Sequence, residues 1–148
     1  MGSLLEVAKE IQDTQFVFVG TGEMVSDYGL PNVNFVGFCE TVEKYIDGAA
    51  VCVFPSLSEN FPLVGLESMA RGKPVIATRR GFSEYIQHME NGFLLGSADP
   101  SEVKRAIRLL MDDPALRQRL GENAKVTARK YRAGAIVDQY SRLYRAAL

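Results

Sequence analysis

Pro55-Ser56-Leu57-Ser58-Glu59-Asn60-Phe61-Pro62-Leu63-Val64-Gly65-Leu66-Glu67-Ser68-Met69-Ala70-Arg71-Gly72-Lys73-Pro74-Val75 is the stretch that decides the fold. It follows Ala50-Val51-Cys52-Val53-Phe54. That apolar run, closed by Pro55, reads as a strand buried on both faces. The polar loop Ser56 to Asn60 then leads into a helix predicted from about Pro62 to Arg71. Proline suits the first helical position, because it pre-sets φ and lacks an N–H that would be orphaned anyway. Gly72 stands where the helix should stop, and Pro74-Val75-Ile76-Ala77-Thr78 reads as the next strand. Strand, loop, helix, strand is a parallel crossover unit.

The same alternation continues in both directions. Upstream, Leu4 to Ile11 reads as a helix, Phe16-Val17-Phe18-Val19-Gly20 as a strand, and Val33-Asn34-Phe35-Val36-Gly37 as another. Thr41 is placed to cap a helix carrying Val42, Tyr45, Ile46 and Ala49. Downstream, Phe82, Tyr85, Ile86 and Met89 predict a short helix, and Gly92 to Leu95 a fifth strand. Asp99-Pro100-Ser101-Glu102 and Asp113-Pro114 open two helices. Residues 133–148 form a final helix with Ile136, Tyr140, Leu143 and Ala147 on one face. Buried strands alternating with helices predict a Rossmann-like α/β domain, an open parallel sheet with helices on both faces. Ligands of such sheets lie beyond the carboxyl ends of the strands. Four loops share that rim: Gly20 to Met24, Gly37 to Glu40, Ser56 to Phe61 and Arg79 to Ser83.

The chemistry of the opening stretch follows from its helix start. The N–H groups of Leu63 and Val64 should point free toward the rim, at the positive end of the helix dipole. That is a seat for phosphate. Glu67 lies about one turn further in and suits a neutral polyol such as a ribose, whose vicinal hydroxyls donate to both carboxylate oxygens. Glu59 lies on the other side of the seat and can accept hydrogen bonds from hydroxyls of a sugar. The two acids therefore bracket a diphosphate rather than forming a close acid–base pair.

Glu59 and Glu67 form an E-x7-E pair that resembles the signature of retaining glycosyltransferases with the GT-B fold. Further pieces resemble that family in the right order: Val19 to Gly22, Asn32 to Gly37, Pro55 to Val75, Gly81 to Glu84 and Asn91-Gly92. The resemblance implies a donor-binding domain for a nucleoside-diphosphate sugar, which is a substrate rather than a cofactor. It implies that Glu67 holds the ribose and Glu59, the catalytic candidate, contacts the donor sugar. Asn60, Phe61, Pro62, Leu63 and Val64 would face the sugar and diphosphate, Gly22 the ligand side of its turn, and Phe38 and Cys39 the nucleobase. No metal ligand is implied. In that family the domain opens with a strand and a loop carrying an Arg and a Lys. This sequence begins at the following helix, so it is expected to lack the first strand, that loop and the acceptor-binding half, and to be inactive alone.

Length and composition fit this reading. The sequence has 148 residues, 47% hydrophobic and 24% charged. That suits one soluble domain over residues 1–148, burying about two-thirds of its unfolded surface. A net charge of -1 argues against a nucleic-acid partner. Cys39 and Cys52 have no metal-ligand spacing, and the chain carries no signal-like start. A cytoplasmic location is expected, with the parent enzyme peripheral at a membrane. Met1-Gly2-Ser3 reads as an added or trimmed start outside the fold. Gly20-Thr21-Gly22 is read as a tight turn, not a dinucleotide fingerprint, because position 25 is Val. His88 is read as structural, and Arg79-Arg80 as a solvated pair. The stripe on the last helix suggests self-association. The rival functions are a sugar-nucleotide epimerase or phosphorylase half, and a non-catalytic interaction module.

Overall fold

The structure is a computed structural model that describes residues 2–21 and 29–146. Its elements run α1 (Gly2–Glu10), β1 (Phe16–Val19), β2 (Val33–Gly37), α2 (Glu43–Gly48), β3 (Cys52–Phe54), α3 (Leu63–Ala70), β4 (Val75–Thr78), β5 (Phe93–Leu95), α4 (Pro100–Asp112), α5 (Pro114–Ala128) and α6 (Ala133–Ala146). All strand pairings are parallel, as the crossover pattern requires. They fall into two sheets, β1-β2 and β3-β4-β5. The single open sheet expected from the sequence is thus divided.

Burial on both faces explains the unbroken apolar run of β4. Along β4, Ile76 enters a core with Val7, Ile11, Leu95, Val103, Ile107 and Leu110. Its neighbours Val75 and Ala77 enter a second core with Leu66, Met69, Phe82 and Ile86. Helices α1 and α4 cover the first face and α3 the second, while α5 contributes to both through Leu116 and Leu120, then Ala124 and Ala128. Each fully buried aliphatic side chain contributes roughly 1.5–3 kcal/mol. Val103, Ile107 and Leu110 alone therefore fix α4 firmly. The exposed ion pairs Glu10–Lys104 and Asp13–Arg108 add little.

Several local expectations are corrected. Gly2 and Ser3 belong to the first turn of α1 rather than lying outside the fold. Thr41 does not cap α2; Val42 holds that position without a side-chain bond, and the Thr41 hydroxyl lies 3.7 Å from the Cys39 sulfur. The helix expected through Phe82, Tyr85, Ile86 and Met89 is one 3-10 turn, Phe82–Glu84. The chain then leaves the helical path, and Met89 takes φ 62. Asn91 replaces the lost backbone bonds: its amide oxygen accepts from Gln87 N–H at 2.7 Å and its NH2 donates to the Tyr85 carbonyl at 3.0 Å.

The capping signals fare differently. Asp99 accepts from Ser101 N–H and Asp113 from Leu116 N–H, both as N-caps. Glu102 does not close the reciprocal box. It accepts from the Gly96 and Ser97 amides at 2.6 and 2.9 Å, tying the end of β5 to α4. These bonds hold its carboxyl below the ordinary value of 4.5. Asn32, read as part of a family motif, is 2% exposed. Its NH2 donates to the Ala8 and Ile11 carbonyls at 2.9 Å each, closing the end of α1.

Candidate functional site

The site is built where α3 starts. Pro62 is the N-cap of α3, one residue before the helix rather than its first residue, and no side chain caps that end. The amides of Leu63 and Val64 therefore have no intrahelical acceptor. They stand at the carboxyl end of β3, on the ligand rim of a parallel sheet. Glu67 is exposed on the second turn of α3, and Glu59 is exposed in the loop before it. Ser56 Oγ donates to Glu59 Oε1 at 2.9 Å, so the loop itself orients that carboxylate.

Neighbouring rim loops fix this segment. Thr78, ending β4, donates its hydroxyl to the Ser56 carbonyl. Gly81 adopts φ 73 and passes the Glu59–Asn60 backbone so closely that a Cβ would sit 2.8 Å from the Glu59 carbonyl oxygen. No other residue fits both requirements, which gives the G-x-x-E piece a physical role. Phe61 packs edge-on to Tyr85 at 5.3 Å and tilted to Tyr131 at 5.8 Å.

Tyr85 is the residue that sequence reasoning missed. Its periodicity marked it as core, and it is buried. Its hydroxyl donates to the Pro62 carbonyl at 2.6 Å, which pins the N-cap of α3. Burial first, then the nearby Glu59 charge, push its pKa upward, so the hydroxyl stays a donor across the physiological range. Only its polar end hinted at this, since a buried phenol needs a partner. Tyr85→Phe leaves the Pro62 carbonyl with its weaker bond from Gly65 N–H at 3.3 Å. The expected cost is about 1 kcal/mol, read as a lower urea midpoint at unchanged slope.

The remaining expected residues lie elsewhere on the rim. Phe38 is 74% exposed just after β2, beside half-buried Cys39, and both follow the other sheet. Gly20 N–H donates to the Gly37 carbonyl at 2.8 Å, joining the ends of β1 and β2. Gly22 and the rest of that loop fall outside the described residues. The structure thus brings Glu59, Asn60, Phe61, Pro62, Leu63, Val64 and Glu67 together, and sets Phe38 and Cys39 on the part of the rim carried by β1 and β2. Arg79 and Arg80 are exposed. His88 accepts from Leu94 N–H through Nδ1 at 3.1 Å and packs edge-on to Phe93, a structural role. Among the described residues, no three His, Cys, Asp or Glu side chains stand together to hold a metal ion. Nor is any helix there long and apolar enough to cross a membrane.

The family described as "Glycosyl transferases group 1" matches residues 2–113. The chain belongs to this glycosyltransferase family. The N-acetyl-alpha-D-glucosaminyl L-malate synthase of Bacillus anthracis is 33% identical over 89% of this chain and 37% of its own length. The sucrose-phosphate synthase structure from Thermosynechococcus elongatus superposes with a TM-score of 0.86, at 32% identity over 98% of this chain and 41% of that one. Anabaena HepE in complex with UDP and glucose superposes at 0.84, covering 100% of this chain and 45% of its own. Its 21% identity speaks to the fold alone. The chain spans about two-fifths of the length of the curated relatives it matches. Its α/β fold of parallel strands flanked by helices is that of GT-B glycosyltransferase structures.

Proposed function

We propose that this chain is the donor-binding half of a cytoplasmic glycosyltransferase, one that moves a sugar from a nucleoside diphosphate to an acceptor with retention at the anomeric carbon. The observation that carries the reading is the uncapped start of α3 between Glu59 and Glu67, on the rim of a parallel sheet, in a chain of this family. The diphosphate sits against the Leu63 and Val64 amides, where the helix dipole stabilises negative charge as it develops on the leaving group. Glu67 accepts hydrogen bonds from the ribose hydroxyls. Glu59, oriented by Ser56, accepts from hydroxyls of the donor sugar and positions its anomeric carbon. Asn60, Phe61 and Pro62 line the sugar side, and Phe38 and Cys39 the base side. The donor is a substrate, and no cofactor or metal has a role in this scheme.

Two-dimensional NMR titration with UDP, GDP and ADP tests the reading. Saturable shifts centred on residues 59–67 are expected with one of them, which then names the base. On this reading the acceptor is bound by polypeptide outside these 148 residues, so the chain alone transfers no sugar. Transfer of labelled sugar by the chain alone would contradict that division of labour.

A further inference from the structure

Phe61 stands between Glu59 and Pro62, 42% exposed on the rim. Among the described residues, no backbone hydrogen bond engages it. Its neighbours are fixed on both sides, Asn60 by the close pass of Gly81 and Pro62 by the Tyr85 hydroxyl. Phe61 itself is placed by its ring. That ring meets Tyr85 at 5.3 Å and Tyr131 at 5.8 Å, at interplanar angles of 71° and 50°. Tyr85 and Tyr131 close the triangle edge-on at 6.1 Å. Edge-on and tilted rings set the positive edge of one toward the negative face of another. Three such contacts favour one orientation of Phe61, whereas plain apolar contact is non-directional.

The two tyrosines play different parts. Tyr85 is buried against the first turn of α3, where only a glycine at position 65 admits its hydroxyl and the Phe82 ring. Its hydroxyl is committed to Pro62. Tyr131 reaches the cluster from the far end of the chain, in the 3-10 turn Arg129–Tyr131 that follows α5. That turn stands on a fixed frame. Ala124 and Ala128 bury the end of α5 in the second core. Asn91 donates to the Thr127 hydroxyl at 2.9 Å and to the Tyr85 carbonyl at 3.0 Å. The Tyr131 hydroxyl donates to the Glu84 carbonyl at 3.2 Å. The end of α5 is thus bonded at two points to the segment that carries Tyr85, and it presents the Tyr131 ring to Phe61 as a wall.

We propose that Tyr131 is a positioning residue for the sugar side of the donor site. It sets the Phe61 ring beside Glu59, so that a sugar whose hydroxyls reach Glu59 lays an apolar C–H face on the aromatic ring. The diphosphate seat at Leu63 and Val64 is held separately, by Pro62 and α3. The inference rests on the donor reading above. It differs from a packing role in one respect: loss of the Tyr131 ring separates affinity for the sugar from affinity for the nucleotide.

Two substitutions test it. Tyr131→Leu keeps apolar bulk and removes the ring. Tyr131→Phe keeps the ring and removes only the bond to Glu84. Tyr131→Met, apolar and more adaptable, takes the place of the leucine variant if leucine does not pack. Before any nucleotide is added, Tyr131→Leu should shift the NMR signals of the Phe61 ring and amide, and Tyr131→Phe should leave them near their parent positions. Titration then uses UDP, GDP and ADP and the glucose conjugate of each. For the base that binds, Tyr131→Leu should weaken the glucose conjugate on the order of 10-fold and the bare diphosphate by less than about 2-fold. Tyr131→Phe should bind the conjugate within about 2-fold of the parent chain. Unmoved Phe61 signals in the leucine variant would overturn the proposal. So would equal losses for conjugate and bare diphosphate, or a phenylalanine variant as weak as the leucine one. A parent chain that binds none of these ligands fails the donor reading and takes the sugar role of Tyr131 with it, even where Phe61 has moved.

Discussion

Replacing Gly121 with alanine should destabilise the chain by about 2 kcal/mol, although helix propensity alone favours alanine by about 1 kcal/mol. Gly121 lies inside α5, where α5 crosses the turn between α3 and β4. A Cβ there would stand 2.2 Å from the Gly72 carbonyl oxygen and 3.2 Å from its carbon. Both are backbone atoms, so no rotamer change relieves the overlap. Relief requires α5 to move away, and that pulls on Leu120 and Ala124, which are fully buried in the two different cores. Overpacking of this kind costs roughly 1–3 kcal/mol, sometimes more, and outweighs the propensity gain. The check is a urea transition with a lower midpoint and unchanged slope. A raised midpoint would mean that α5 slides freely on the turn. Because Gly72 lies just beyond the end of α3, the substitution should also disturb the last turn of α3 and its turn into β4.

The sequence carried the strands and most helices because their signals are redundant. β4 shows this well: Val75, Ile76, Ala77 and Thr78 are all buried, so no register choice could expose an apolar residue. Asp99-Pro100 and Asp113-Pro114 marked their helix starts through bonds made within three residues. The errors arose where distant groups intervene. The apolar spacing of Phe82, Tyr85, Ile86 and Met89 suits a helix, but Asn91 and Thr127 supply polar contacts that hold an irregular path. Glu102 had the spacing of a capping box, yet Gly96 and Ser97 offered it two better-placed donors. The split of the sheet was invisible in composition, because both β1 and β3 read as central strands while each presents an open edge.

The candidate site was legible as a motif but not as a constellation. Glu59, Pro62 and Glu67 could be placed along one segment because a loop and a helix start fix their order. What could not be read is the clamp around them. Ser56 orients Glu59, Gly81 admits the neighbouring loop, and Tyr85 holds Pro62, at sequence separations of 3, 22 and 23 residues. The last two are long-range contacts set by packing of the second core. Side-chain type hinted at them only through a glycine and a buried phenol.

Glu67→Ala should weaken nucleotide binding by roughly 10- to 150-fold, the loss of about 1.5–3 kcal/mol for a charged hydrogen-bond acceptor. The fold should hardly notice. Glu67 is exposed, and no hydrogen bond or ion pair engages its side chain among the described residues. Alanine is also the best helix former, so stability should stay within about 0.5 kcal/mol. This separation makes the substitution informative: affinity falls while the urea transition stays in place. Glu59→Ala provides the contrast. It removes a carboxylate held by Ser56 on the sugar side, so it should weaken a nucleotide sugar more than the bare nucleoside diphosphate. Equal affinity of Glu67→Ala and the parent chain for UDP, GDP and ADP would take the ribose away from Glu67. No saturable shift with any of them would remove the donor site itself.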